Sequence, residues 1–549
     1  MSRTISIVGL VLILIFNVWW RCHTIGPAVR DRLGVSLYPV VEGKVEPLDC
    51  DEAVYGYIGV RMNQGARLYE DLTENKPPGG YWLYQLATRI GGGDELTIRL
   101  MPIPFVLMTI SLVWWIGCRL SGNSAALAGA LTYAVLSTSP ALQGNGANME
   151  HALNLFAFAS LAMMVYIWPN RDGPWWGLEL VGLLVGLATL IKPVAGLHGL
   201  IYAVAIGLRP GRSPRGRRKD LADLAVGFFA PWFLAGLALG VNGTLETGLN
   251  DFINYGRALA SETPVDPKAP PFWVRWVAGN ADPQGVLPPP FGKTDYVIWW
   301  AAGTWPVWLA SLPFLVIFLR TRQPTARKLV ALWTLSAWVQ VAMPRLFWQH
   351  YYLLPTPGVA VLVGMGLGIS VSAWRERRRL LGSIGIMIAV VAIYGMSALQ
   401  VRDYLMVPTS ILVRTSGGPQ WLALRDLGRE LKRRSKVWDQ PTMFIWGWQS
   451  PLYFYSGLPN ATRQIFTDDF IRSQAESDHP QAKPRIERIM RDLNEKPPAM
   501  IMAGYTPFPA LKAFLQKGYI RTTLFPQAPD GRGLWIERKK FAEFAMYGQ

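Results

Sequence analysis

The chain has 549 residues, 51% of them hydrophobic and only 17% charged, with a formal net charge of +17 at pH 7. Apolar residues gathered in long runs, with 24 Trp and 41 Pro, exclude an ordinary soluble domain and fit a membrane protein with interfacial rings and interrupted helices. The basic residues sit in short links between apolar runs, the pattern that sets membrane orientation, so acidic lipids and phosphate-bearing substrates are expected as partners and nucleic acid is not.

Runs long enough to cross about 30 Å of hydrocarbon fall at 4–22, 98–118, 124–141, 150–168, 175–191, 194–208, 221–241, 296–319, 328–343, 351–373 and 381–399, giving about eleven spans. The first resembles a signal peptide but lacks a small-residue cleavage site. Trp19-Trp20-Arg21 makes a better interfacial end for a retained helix. The fifth and sixth are short and divided by Lys192-Pro193, as two broken helices or one re-entrant unit. Arginine-rich links at 209–219, 320–328 and 375–379 fall on the side of the N-terminus. This places the N-terminus in the cytoplasm and the C-terminus outside.

Three regions then face the exterior. Region 23–97 reads as two short amphipathic helices lying along the interface, near 52–65 and 81–90. Region 242–295, rich in Pro and Gly, reads as a long loop with little regular structure. The tail from 401 to 549 returns to soluble composition. Helices are expected at 419–434, 483–495 and 509–517, and strands at 442–447, 499–503, 520–525 and 533–537. The predicted organisation is a membrane domain over 1–400, including both loops, and an extracytoplasmic α/β domain over 401–549. Three cysteines are too few for a disulfide framework; a Cys22–Cys50 pair across one loop stays open.

Asp51-Glu52 lies in the first external region. A carboxylate at the interface can serve as general base for an acceptor hydroxyl; the plainer alternative is that Asp51 caps a helix beginning at Ala53. Lys76, held by Pro77-Pro78, is a positioned charge for a phosphate or a snorkelling lysine. Glu150-His151 opens the fourth span, to hold a sugar hydroxyl, bind a metal or cap the helix. Lys192 stands at a break on the same side, as anchor or anion contact. Arg345 suits bidentate phosphate binding, and His350-Tyr351-Tyr352 can bracket a sugar or prenyl head or form an aromatic belt. His198 reads as structural, and Asp468-Asp469 as a helix cap. No cofactor is implied with certainty, and a divalent metal is left open. Walker-type, dinucleotide and serine-elbow motifs are missing, which favours a lipid-linked donor over a nucleotide-sugar.

Asp51-Glu52-Ala53 with Tyr55, then Gly65-Ala66-Arg67-Leu68-Tyr69, then Asn75-Lys76-Pro77-Pro78, resembles the polyprenyl-phosphate-sugar-dependent membrane glycosyltransferases of the C-type fold, relatives of protein O-mannosyltransferases and lipid A aminoarabinose transferases. Arg345–Pro355 is similar to their late membrane segment, and Gly447–Pro459 to the extracytoplasmic tail of bacterial members. The resemblance implies a polytopic α-helical C-type glycosyltransferase fold in a bacterial inner membrane. It implies Asp51 as the acidic catalytic residue with Glu52 as its pair, Lys76 on the donor phosphate, and Glu150 as a second acidic position. Asn75 departs from the aminoarabinose transferases, which carry Glu before Lys-Pro-Pro, and this weighs against a metal there and against that subfamily.

The expected activity is inverting transfer of a sugar from polyprenyl phosphate to a hydroxyl on a lipid, glycan or protein, at the external face of the cytoplasmic membrane. Lys76, helped by Arg345 or Lys192, would stabilise the departing phosphate. A transporter or flippase for anionic lipids, suggested by the broken spans, is the alternative. An assembly factor with a binding tail is a third reading.

Overall fold

The computed structural model describes residues 2–41, 45–168, 174, 176–261, 273, 274, 276, 303–320, 326–376, 378–415, 419–467, 483–525 and 531–546. Asp468-Asp469, and the prolines of the 242–295 region, lie outside the described residues. The chain divides into two compact units. The first is Met1–Glu46, Arg99–Gly236 and Pro270–Ser416; the second is Pro47–Ile98, Leu237–Ala269 and Gly417–Gln549.

The first unit is helical. Among the described residues, six helical segments of the chain are long and apolar enough to cross a membrane: Arg3–Leu33, Glu95–Ser121, Glu150–Ile167, Pro214–Val241, Gln349–Arg375 and Arg379–Leu405. Four shorter apolar helices accompany them, Asn123–Leu136, Gly177–Thr189, Pro193–Gly207 and Trp305–Arg320. Helix Ala326–Ala342 falls on the predicted run at 328–343. Thr356–Arg375 is the central helix, packed on Asn123–Leu136 and Arg379–Gln400 around Val135, Leu136, Val359, Val363 and Ala389. Outward positions are apolar instead of polar: Leu12 is 61% exposed, Phe233 72% and Tyr394 74%. Hydrocarbon as the surrounding medium accounts for such a surface, since apolar groups there need no cover. Pro231 and Pro313 sit inside helices of this unit, as membrane helices tolerate.

Lys192 is extended, and it ends Gly177–Thr189 before the short turn Pro193–Ala195 starts Gly196–Gly207. His198 stacks on Trp333 at 4.4 Å and bonds Ser336 and Gln340, a core histidine as expected.

The second unit contains a four-stranded sheet of order β1-β2-β4-β3. Its strands are β1 (Met443–Trp446), β2 (Met500–Ala503), β3 (Tyr519–Thr522) and β4 (Gly533–Glu537). β1 runs parallel to β2, and the other pairs are antiparallel. β1 and β2 are buried at every position, as strands covered on both faces must be. Helix Lys483–Glu495 turns Ile486, Ile489, Met490 and Leu493 toward Phe444, Ile501 and Leu515, the 3.6-residue spacing legible in the sequence. Helices Pro419–Arg434 and Pro509–Gly518 complete the expected pattern.

Three expectations need correction. Leu245–Ser261 is a helix, not irregular loop; Leu245, Leu249, Phe252 and Ile253 supply its apolar stripe. Helix Cys50–Asn63 is not covered on one face only: Ala53 to Gly59 are all buried, because Pro78–Gly91 and Pro451–Ser456 pack on it. Cys22, Cys50 and Cys118 are free thiols, so the Cys22–Cys50 pair is not made.

Helices Gly177–Thr189 and Pro214–Val241 meet backbone to backbone. A Cβ added at Gly227 would lie 1.9 Å from the Glu179 carbonyl oxygen, and one at Gly182 would lie 2.1 Å from that of Leu224. Small residues allow this approach, the usual basis of helix association in lipid. Gly227→Ala is expected to destabilise the protein by about 1–3 kcal/mol, because backbone has to move; thermal unfolding in detergent measures it.

Candidate functional site

In the second unit, the site begins with a capping box. Asp49 is the N-cap of Cys50–Asn63: its Oδ1 accepts from the Glu52 amide at 2.9 Å, while Glu52 Oε2 accepts from the Asp49 amide at 3.0 Å. The expectation that Asp51 caps a helix starting at Ala53 is therefore wrong by one half-turn. The D-x-x-E pattern beginning at Asp49 was the available signal. Glu52, fully buried, is part of the cap, and Asp51 remains partly exposed in the first turn.

The Gly447–Pro459 segment grips this helix. Tyr455 Oη accepts from the Leu48 amide at 2.8 Å, and Cys50 Sγ lies 3.7 Å from the Trp448 carbonyl. Tyr57 stacks on Tyr453 at 5.0 Å, and its hydroxyl donates to the Leu458 carbonyl at 3.1 Å.

Lys76 arrives on the opposite strand of a tight turn, where the Tyr69 amide donates to the Leu72 carbonyl at 2.9 Å. Pro77 is extended and Pro78 opens Pro78–Gly91, the first-turn position proline suits. Lys76 Nζ lies 5.0 Å from the centre of the Tyr55 ring and 3.9 Å from Glu74 Oε2. Glu74 is buried, and its Oε1 accepts from the Asn75 amide at 2.8 Å.

Burial pushes the Tyr55 phenol well above its ordinary pKa, and the Asp51 and Glu74 charges push it the same way. Tyr81 is raised by burial and then by Glu74, Tyr69 and Asp51. Both phenols are thus hydrogen-bond donors at neutral pH. The Tyr55 hydroxyl makes no hydrogen bond among the described residues. Two carboxylates, an ammonium and protonated phenols around one ring can accept a proton and meet a developing negative charge.

In the first unit, four predicted residues meet. Glu150 opens Glu150–Ile167 without capping it, and its carboxylate is ion-paired with Lys192. Lys192 Nζ sits 4.8 Å from the Tyr351 ring centre. His350 Nε2 is 3.8 Å from the same Glu150 oxygen, and its Nδ1 is 2.9 Å from Gln143 Oε1. Gln143 went unread in the sequence; only its left-handed backbone, φ 50°, marks it.

The remaining three are elsewhere. His151 turns its Nε2 to the Gly144 carbonyl at 3.0 Å. Tyr352 is in the core and donates to the Trp276 carbonyl at 2.8 Å. Arg345 is exposed, with φ 59°. No three His, Cys, Asp or Glu side chains converge as metal ligands among the described residues.

Two outcomes test this geometry. Asp49→Ala should lower stability by about 1 kcal/mol through loss of the cap, and Asp51→Asn by less; chemical or thermal unfolding compares them. Lys192→Met leaves Glu150 buried without its partner and should cost about 3–5 kcal/mol, most of it recovered in the Lys192→Met/Glu150→Leu double variant.

A profile of the dolichyl-phosphate-mannose-protein mannosyltransferase family matches residues 75–234. No curated protein matches the sequence of the chain. Among solved structures, ArnT from Cupriavidus metallidurans bound to undecaprenyl phosphate superposes with a TM-score of 0.53 at 15% identity, covering 97% of this chain and 98% of that one. The apo state of the same protein gives 0.55 at 13% identity over 97% and 98%. The Archaeoglobus fulgidus oligosaccharyltransferase tethered to an acceptor peptide gives 0.57 at 12% identity, covering 98% of this chain and 74% of that one. The chain therefore has the C-type fold of these membrane glycosyltransferases.

Proposed function

We propose that this protein is a membrane glycosyltransferase that moves a sugar from a polyprenyl-phosphate donor to a hydroxyl of a lipid, glycan or protein acceptor, with inversion. The supporting observation is that Lys76 lies over the Tyr55 ring and 3.9 Å from Glu74, while the charges of Asp51 and Glu74 act on the Tyr55 phenol. ArnT, bound to undecaprenyl phosphate, shares the fold. Asp51 accepts the proton of the acceptor hydroxyl as its oxygen attacks the anomeric carbon. The carbon–oxygen bond to phosphate breaks, and polyprenyl phosphate departs with its added charge facing Lys76. Glu52 holds the first turn through the cap. Arg345 and Lys192 are proposed for the donor phosphate, and Glu150, His350 and Tyr351 for the substrates; His151 and Tyr352, buried and bonded to main-chain carbonyls, are not.

The topology proposed with this activity has about eleven spans, the arginine-rich links in the cytoplasm, and 401–549 outside a bacterial inner membrane. Purified protein supplied with polyprenyl-phosphate sugars and acceptor should release free polyprenyl phosphate and a glycosylated product. Asp51→Asn should reduce turnover on the order of 100-fold or more. Full turnover in that variant would remove Asp51 as base. Movement of labelled lipid across vesicles without any glycosidic product would make the protein a transporter.

A further inference from the structure

Tyr69 has φ 70°, a left-handed backbone that is rare for a bulky residue. Strain of this kind persists only where the surroundings impose it, and it collects at functional sites. Two segments distant in sequence, Arg463 and helix Leu245–Ser261, impose it here. The Tyr69 carbonyl accepts from Arg463 Nη2 at 2.7 Å. Arg463 also donates from Nε to Thr73 Oγ1 at 2.5 Å, accepts from the Thr73 amide at 2.8 Å, and pairs with Asp251.

Helix Leu245–Ser261 closes over the ring. A Cβ at Gly248 would fall 2.7 Å from Tyr69 Cδ2, so only glycine lets the helix backbone reach the ring in its present place. Thr247 Oγ1 donates to Glu70 Oε2 at 3.2 Å. Thr247, Gly248 and Asp251 share one helix face, and all three meet the turn that carries Tyr69 or the arginine that holds it.

The output of this clasp is a single hydrogen bond: Tyr69 Oη donates to the Lys76 carbonyl at 2.7 Å. On the other side of that carbonyl stand Pro77 and Pro78, which restrict Lys76 to extended backbone. A lysine side chain has four rotatable bonds, so its ammonium is placed only as well as its Cα is. Fixing the peptide on both sides narrows the volume that Nζ explores around Tyr55.

We infer that Tyr69, held by Gly248 and by the Asp251–Arg463 pair, is a positioning residue that presents Lys76 to the phosphate of the lipid ligand. This inference rests on the reading of Lys76 as a phosphate-binding residue. Tyr69 acts through Lys76 and has no phosphate contact of its own.

The experiment is a double-mutant cycle on the purified full-length protein, reading the affinity for undecaprenyl phosphate in detergent micelles, with thermal unfolding recorded in parallel. Tyr69→Phe keeps the ring against Gly248 and removes only the hydroxyl. It should weaken binding by roughly three- to tenfold, the scale of one hydrogen bond. The same substitution over Lys76→Ala should produce no further loss, because coupled residues are not additive. Gly248→Ala keeps every hydrogen-bonding group but displaces the ring; it should weaken binding in the wild-type background and leave the Lys76→Ala background unchanged. Wild-type affinity in both Tyr69→Phe and Gly248→Ala overturns the inference. So does a loss of undiminished size over Lys76→Ala, which would mark Tyr69 as a general structural residue. Unchanged affinity in Lys76→Ala alone refutes the phosphate reading of Lys76 itself, a result distinct from an additive cycle.

Discussion

The capping box between Asp49 and Glu52 decides what the rest of the second unit can do. It fixes the first turn of Cys50–Asn63, and it consumes two of the three carboxylates clustered there. Asp51, partly exposed, is the carboxylate of that turn outside the box. Helical spacing then sets Asp51 and Tyr55 four residues apart on one face. The burial that raises the Tyr55 phenol is shared with Tyr81 and Glu74, and Lys76 lies over the Tyr55 ring. Shifting the helix start by one residue would rotate Asp51 by about 100° away from this group. The tail segment contributes the matching restraint from outside, through the Tyr453 and Tyr455 contacts with the start and middle of the same helix.

Local signals were readable where one element decides its own form. The tail helices and strands follow from periodicity, as Ile486, Ile489, Met490 and Leu493 illustrate. Lys76 stood out because two prolines follow it, and that stiffening is a local effect. The helix at Leu245–Ser261 was also written in its apolar spacing, but neighbouring glycine and proline obscured it. Partners were not readable. The Glu150–Lys192 pair, the Gln143–His350 bond and the Tyr69–Gly248 contact each join segments that only tertiary packing brings together. Asp49 was missed for a different reason: two acidic residues two positions apart both satisfy the cap preference, and only the partner at the third helical position separates them.

Pairing also distinguishes the two lysines proposed for the donor phosphate. In the first unit, Glu150 is 1% exposed and Lys192 12%, and they are in direct contact. Burying two charges is tolerated because each neutralises the other, and separating them exposes either one to the full desolvation cost. A phosphate approaching Lys192 thus meets a lysine already paired, with the Tyr351 ring beside it and His350 beside Glu150. Lys76 differs in both respects. It is 25% exposed, and its Glu74 partner stands 3.9 Å away, beyond hydrogen-bond contact. Solvent reaches its side chain. Lys192, just beyond helix Gly177–Thr189, is tied through this ion pair to the first turn of Glu150–Ile167, the helix on which Gly177–Thr189 packs.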